Sequence, residues 1–135
     1  MIEYNTLIPT EDQIRNLYLD NKWYAYTNEF DSLMKGIKHS TDVVGAYDDE
    51  LLVGLIRTIS DQTTICYIQD ILILDSHKHN GIGSTLLTMI FDKYKDVRQV
   101  VLMTDMNDDR SNEFYKKLGM VPFEDKGVKG YILKK

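Results

Sequence analysis

The sequence predicts an α/β fold, a mixed α+β sheet flanked by helices in the order β-α-α-β-β-β-α-β-α-β-β. Three observations predict it. Between residues 43 and 74 the chain runs through β-branched and aliphatic stretches separated by short acidic or polar turns. On either side of that region apolar residues recur at helical spacing, as in Phe30, Leu33, Met34 and Ile37 or Ile82, Leu86, Leu87 and Ile90. The composition, 43% hydrophobic and 27% charged over 135 residues, suits one globular domain, expected to span residues 1–135.

Each element has a local reason. Residues 2–8 read as an edge strand ended by Pro9. Thr10-Glu11-Asp12-Gln13 is a capping box, and Ile14, Leu17 and Tyr18 continue it as one face of a helix. A second helix is expected from about Thr27 or Asn28. Val43–Tyr47 and Leu51–Ser60 form a hairpin across Asp48-Asp49-Glu50, and Asp61–Thr64 turns into Ile65–Leu74, a long apolar run expected at the sheet centre. A helix follows from Gly81 to Tyr94, then a strand over Val97–Thr104. The acidic run Asp105–Asp109 caps a helix that ends at Leu118, with Gly119 beyond it and Pro122 after. Val121–Glu124 and Tyr131–Leu133 are expected as closing strands around a Gly127–Gly130 turn.

Charge and cysteine content exclude several classes. Sixteen basic against 21 acidic residues give −5, which disfavours nucleic acid as the main partner. A single cysteine, Cys66, rules out a disulfide scaffold and fits a reducing interior, where an apolar strand makes it inert core. No apolar run approaches the roughly 18 residues that span a bilayer. Met1-Ile2-Glu3-Tyr4-Asn5 carries neither the basic start nor the apolar stretch of a signal peptide, so no membrane role and a cytoplasmic location are expected. His77-x-His79 has no nearby third ligand and makes a poor zinc site, so no metal is expected.

The sharpest feature is Lys78-His79-Asn80-Gly81-Ile82-Gly83-Ser84, between the central strand and an amphipathic helix. Glycines admit close backbone approach, and a helix N-terminus offers free N–H groups to an anion such as pyrophosphate. The alternative is a turn that needs glycine for its angles alone. A dinucleotide fingerprint fails because Leu86 stands where its third glycine belongs, and no Gly-Lys-Ser/Thr triplet supports a Walker loop. The segment resembles instead the Gln/Arg-x-x-Gly-x-Gly/Ala motif of GNAT-type (GCN5-related) N-acetyltransferases, with Lys78 at the position where glutamine or arginine is usual. Ile68-Gln69-Asp70-Ile71-Leu72-Ile73-Leu74 resembles that family's splayed strand, and Asn112 to Met120 resembles its Phe-Tyr-x-Lys-Leu-Gly-Phe helix ending. The resemblance covers residues 43–123, and Leu17-Tyr18 with Trp23-Tyr24-Ala25-Tyr26-Thr27 is similar to a small bacterial single-domain branch.

The resemblance implies acetyl-CoA as co-substrate and direct transfer of its acetyl group to an amine. Ile71, Leu72 and Ile73 would meet the pantetheine arm, with backbone N–H groups near Leu72 polarising the thioester carbonyl. Lys78, His79, Asn80, Gly81, Ile82, Gly83 and Ser84 would hold the pyrophosphate through backbone N–H groups, and Phe114 and Lys117 join the cofactor set. Tyr115 would protonate the departing thiolate, since a phenol of pKa about 10 stays protonated at neutral pH; a core tyrosine beside Phe114 is the structural alternative. An alkyl amine must lose a proton before attack, yet Gln69 occupies the position of the family's strand glutamate. Asp70 is the remaining candidate base, although strand alternation turns it to the opposite face unless a bulge intervenes. A water chain or an amine of low pKa would serve instead. Trp23, Tyr24 and Tyr26 are expected to line the acceptor site, or else to form an apolar seam between helices. The partner is thus a small-molecule or peptide amine, with a homodimer possible on family grounds. A CoA-binding sensor without transfer, or a purely structural partner domain, are the alternatives.

Overall fold

The computed structural model describes all 135 residues, in two compact units, Met1–Met103 and Thr104–Lys135. The first holds β1 (Ile2–Asn5), α1 (Glu11–Asp20), α2 (Tyr24–Thr27), α3 (Phe30–Lys38), β2 (Asp42–Asp48), β3 (Leu51–Ser60), β4 (Ile65–Ile73), α4 (Ile82–Lys93) and β5 (Gln99–Leu102). The strands form one mixed sheet in the order β1-β2-β3-β4-β5. Neighbours are antiparallel from β1 to β4, and β5 runs parallel to β4 as the product of the α4 crossover.

The capping box forms: Thr10 Oγ1 accepts from the Gln13 N–H at 3.2 Å, and Gln13 Oε1 accepts from the Thr10 N–H at 2.9 Å. Ile14, Leu17 and Tyr18 of α1 and Phe30, Leu33, Met34 and Ile37 of α3 are buried, as their spacing predicts. Arg57 and Thr58 are neighbours on β3 and point to opposite faces of the sheet. Arg57 reaches Tyr26 of α2, and Thr58 shares Asp42 with Tyr94, the C-cap of α4. Helices therefore cover both faces of the central strands.

Three expectations need correction here. The edge strand stops at Asn5 rather than residue 8, because the Asn5 side chain accepts from the Leu7 N–H and turns the chain. The aromatic segment is a helix of its own, α2, separated from α3 by Glu29 at φ −125° and ψ 54°. The strand expected over Val97–Thr104 pairs only from Gln99 to Leu102.

The second unit is built on α5 (Asp109–Lys117), N-capped by the Asp108 carboxylate, which accepts from the Ser111 N–H at 3.1 Å. Gly119 closes it at φ 95°, with its own N–H on the Lys116 carbonyl and the Met120 N–H on the Tyr115 carbonyl, each at 3.1 Å. That is the Schellman pattern. The closing strands expected over Val121–Glu124 and Tyr131–Leu133 do not form. Pro122 has no N–H to give a ladder, and Phe123–Lys126 is a turn of 3-10 helix that Gly127 ends at φ 70°. Residues 127–135 take no regular element, and Tyr131, Ile132 and Leu133 are exposed. Apolar composition alone does not make a strand without a ladder to join.

Candidate active site

A bulge in β4 organises the site. Arg57 lies opposite Asp70 and Thr58 opposite Ile68, so Gln69 has no partner on β3. In a regular strand Cys66 and Asp70, four residues apart, share a face. Here the Cys66 thiol lies near Thr58, Asp42 and Lys93 on the α4 side, while Asp70 faces Tyr18 and Tyr26 on the α1–α2 side. The bulge, the condition left open by the sequence, brings Asp70 beneath the aromatic segment.

The Asp70 carboxylate is nearly enclosed, at 4% exposure, and accepts three hydrogen bonds. Tyr18 donates at 3.0 Å, Arg57 Nε at 2.5 Å and Tyr26 at 2.8 Å. The Tyr26 hydroxyl in turn accepts from Gln69 Nε2 at 2.9 Å and from Arg57 Nη2 at 3.3 Å. Arg57 Nη1 donates to Ser40 Oγ at 3.2 Å. The rings of Tyr18, Trp23 and Tyr26 pack mutually, with centroids 5.5 to 6.1 Å apart and Tyr18 edge-on to both others. Such pairs contribute about 0.5–1.5 kcal/mol beyond area burial.

Electrostatics follow from this enclosure. Burial works against the Arg57 charge, but the Asp70 carboxylate outweighs it and holds the guanidinium above its ordinary range. Burial, then the nearby Asp70 charge, pushes the Tyr18 phenol up. Tyr26 is raised by burial and by Asp70, against the hydrogen bond from Gln69. Each phenol therefore stays protonated at neutral pH.

Immediately past the bulge the sheet opens. β4 and β5 pair from Ile65↔Gln99 to Ile68↔Leu102, and β4 continues to Ile73 without a ladder partner on that side. The Leu74 N–H donates to the Val53 carbonyl at 2.8 Å, which makes Gly54–Ile73 a non-hydrogen-bonded pair. By alternation the polar groups of Ile71 and Ile73 point to the open edge, and those of Leu72 point into the ladder with Leu55. The N–H groups near Leu72 that face the open edge are therefore those of Ile71 and Ile73, with Leu72 between them. On the open edge the Ile73 carbonyl already accepts from Asn21 Nδ2 at 3.0 Å.

The glycine loop leads into an uncapped helix. Gly81 is the N-cap of α4 at φ 79°, and no side chain caps the N–H groups of Ile82, Gly83 and Ser84. His79 is also left-handed, at φ 67°. Lys78, His79 and Asn80 are exposed, with Lys78 Nζ 3.7 Å from Asp75. The Ile82 side chain is core, so only its backbone faces the loop. Just before the loop His77 Nε2 meets Asp48 at 2.9 Å and His77 Nδ1 meets Ser76 Oγ at 2.8 Å. No group of three or more His, Cys, Asp or Glu is placed to hold a metal ion, and no helix is long and apolar enough to cross a membrane.

In the second unit, Tyr115 lies on α5 with its ring 5.5 Å from Phe114. Burial, then the Asp108 charge, pushes its phenol up to about 12. Lys117 on the same helix is exposed.

Residues 11–120 match the Acetyltransferase (GNAT) family. The chain belongs to that family. GNAT enzymes use acetyl-CoA, and the free edge of β4 with the uncapped N-terminus of α4 fits such a group: one offers ladder partners to an amide-bearing arm, the other N–H donors to phosphates. A Gibberella zeae protein named as a candidate acetyltransferase is 34% identical over 82 residues, 58% of this chain and 45% of that protein. The chain thus spans less than half the length of this curated relative. A GNAT-family acetyltransferase from Streptococcus pneumoniae superposes with a TM-score of 0.84 at 27% identity, covering 100% of this chain and 97% of that one. An aminoglycoside N-acetyltransferase solved with CoA shares the fold alone, with a TM-score of 0.75 at 13% identity over 100% of this chain and 94% of that one.

Of the acceptor-site candidates, Trp23 and Tyr26 come together and Tyr24 does not: it is 52% exposed and joins no ring contact. Tyr18, Arg57 and Ser40 complete the cluster; from sequence Tyr18 is set on a helix face without a polar role, and Arg57 and Ser40 are given none. Arg57 carried a signal, as the one charge inside the apolar run Leu51–Ser60. Asp70 is enclosed, so it has no direct access to an amine.

Proposed function

We propose that this chain transfers the acetyl group of acetyl-CoA directly to an amine. The observation that carries the reading is the parting of β4 from β5 after Ile68↔Leu102, beside a polar aromatic cluster and one loop before an uncapped helix N-terminus. In this reading the N–H groups of Ile71 and Ile73 and the Ile71 carbonyl hold the pantetheine arm, and the amides from Lys78 to Ser84 hold the pyrophosphate, with Phe114 and Lys117 in the cofactor set on motif grounds. Bound acetyl-CoA supplies an activated thioester. Tyr115, assigned by its motif, gives the departing thiolate a proton, a task for which a protonated phenol is suited. Trp23, Tyr26 and Gln69 form the wall against which the acceptor rests.

Calorimetric titration of acetyl-CoA into the wild type and Gly83→Asp tests the cofactor site. Saturable binding that the aspartate abolishes is the expected result, because a carboxylate at the helix N-terminus repels phosphate. Absence of binding by folded wild type would overturn the reading. Because Asp70 is fully engaged, a CoA-binding sensor without transfer is the second reading. A broad amine panel with no acetylation, in the presence of normal CoA binding, would favour it.

A further inference from the structure

We propose that the acceptor is a weakly basic amine on a flat apolar body, such as an arylamine or arylhydrazine, because Asp70, the carboxylate built into the aromatic wall beside the β4 bulge, is enclosed and committed to Tyr18, Tyr26 and Arg57. The inference rests on the transfer reading above and names its acceptor class. The titratable groups coupled to one another within the cluster are Tyr18 from α1, Tyr26 from α2, Arg57 from β3, and Tyr67 and Asp70 from β4. Arg57 and Asp70 cancel each other at 2.5 Å, both nearly enclosed.

All three contacts of Asp70 are filled, and two of them, Tyr18 and Arg57, are buried. Its one contact nearer solvent is the Tyr26 hydroxyl, whose oxygen donates once and accepts twice. Burial holds the Tyr18, Tyr26 and Tyr67 phenols protonated, so none of them accepts a proton near neutrality. What remains toward solvent is the partly exposed side chains of Trp23, Tyr26 and Tyr67 and the exposed amide of Gln69. An aromatic face and a neutral amide suit a flat apolar group; the same faces attract an ammonium, but the enclosed Asp70 is not placed to take its proton.

The chemistry balances without a protein base when the amine arrives neutral. Its nitrogen attacks the thioester carbonyl, the C–N bond forms, and the C–S bond breaks with its electron pair on sulfur. The nitrogen sheds its proton to water as the amide forms, and the thiolate takes one. An alkyl amine with pKa about 10.4 offers only about one neutral molecule in a few thousand at pH 7, whereas an arylamine is almost wholly neutral.

The test measures kcat/KM with acetyl-CoA for phenylhydrazine, aniline, phenethylamine and spermidine from pH 6 to 9. The expected result is a flat profile for the first two, a rise of about tenfold per pH unit for phenethylamine, and negligible turnover of spermidine. Trp23→Ala is expected to raise the KM for aniline by roughly tenfold and to leave the acetyl-CoA affinity unchanged. An inflection between pH 6 and 8 common to every acceptor and lost in Tyr26→Phe would reveal a base in the cluster and overturn the inference. Brisk acetylation of spermidine would overturn the acceptor class and leave the transfer reading standing. Normal CoA binding with no acetylation of any amine would overturn both.

Discussion

Arg57 and Asp70 stand directly opposite each other on β3 and β4, and Arg57 Nε lies 2.5 Å from Asp70 Oδ2 with both side chains shielded from solvent. The bulge at Gln69 makes this pairing possible. Were β4 regular through Gln69, continuing the Thr58↔Ile68 register would set Asp70 opposite Ile56, on the face of Cys66, and leave Gln69 opposite Arg57. The bulge thus sets Asp70 against Arg57 and beneath the aromatic wall at the opening of the sheet.

Breaking that pair leaves a buried charge alone. Asp70→Asn is expected to destabilise the fold by about 3–5 kcal/mol, read as a shift of the urea midpoint. The double variant Arg57→Met with Asp70→Leu is expected to lose less than Asp70→Asn, because neither charge is then stranded. A double variant as unstable as the single one would show that the pair contributes through packing rather than charge.

The hairpin, the capping box, the glycine loop before α4 and the Gly119 ending of α5 were legible because each rests on neighbours in sequence, whereas the long apolar run expected at the sheet centre is β4, fourth in the order, with β3 in the middle. What failed depended on distant partners. The Gln69 bulge exists only in the register between β3 and β4, and no residue within β4 signals it. Arg57 reads as an anomaly until Asp70 is set across from it. Tyr18 reads as core, which it is, but its hydroxyl also completes a polar site. The closing strands failed for the same reason in reverse: Tyr131–Leu133 has strand composition and finds no ladder.

Gly81 tests the loop. Its φ of 79° is left-handed and nothing lies within 4 Å of an added Cβ, so Gly81→Ala meets backbone strain without a clash. The expected cost is about 1–2 kcal/mol in chemical denaturation, accompanied by weaker acetyl-CoA binding. Gly81→Asn is expected to lose less, because asparagine tolerates this region. Equal losses in the two variants would point to polarity or bulk rather than backbone angle.

Tyr115→Phe separates turnover from binding. Removal of a general acid is expected to lower kcat roughly a hundredfold while the acetyl-CoA affinity and the thermal midpoint hold. Since the phenol sits at about 12, it contributes no fall in rate up to pH 9. Unchanged kcat in the variant would remove Tyr115 from the acid role.

Asp42 gives the fold a defined response to acid. Burial tends to raise its carboxyl, but hydrogen bonds from Lys93, Thr58 and Tyr94 outweigh that and hold it below the ordinary value of 3.8. Because its folded pKa lies below its unfolded one, the stability it contributes is fully present above the unfolded value and is lost as pH falls through the folded one. Asp42→Asn is therefore expected to be less stable than wild type from pH 7 to pH 5, with the gap narrowing below about pH 4. Lys93 is half exposed, so Lys93→Met is expected to cost no more than about 1 kcal/mol, partly masked by salt. Urea midpoints for the three proteins at stepped pH provide the check. A gap between wild type and Asp42→Asn that stays constant down to pH 3 would show that shape, not charge, holds the end of α4 to β2.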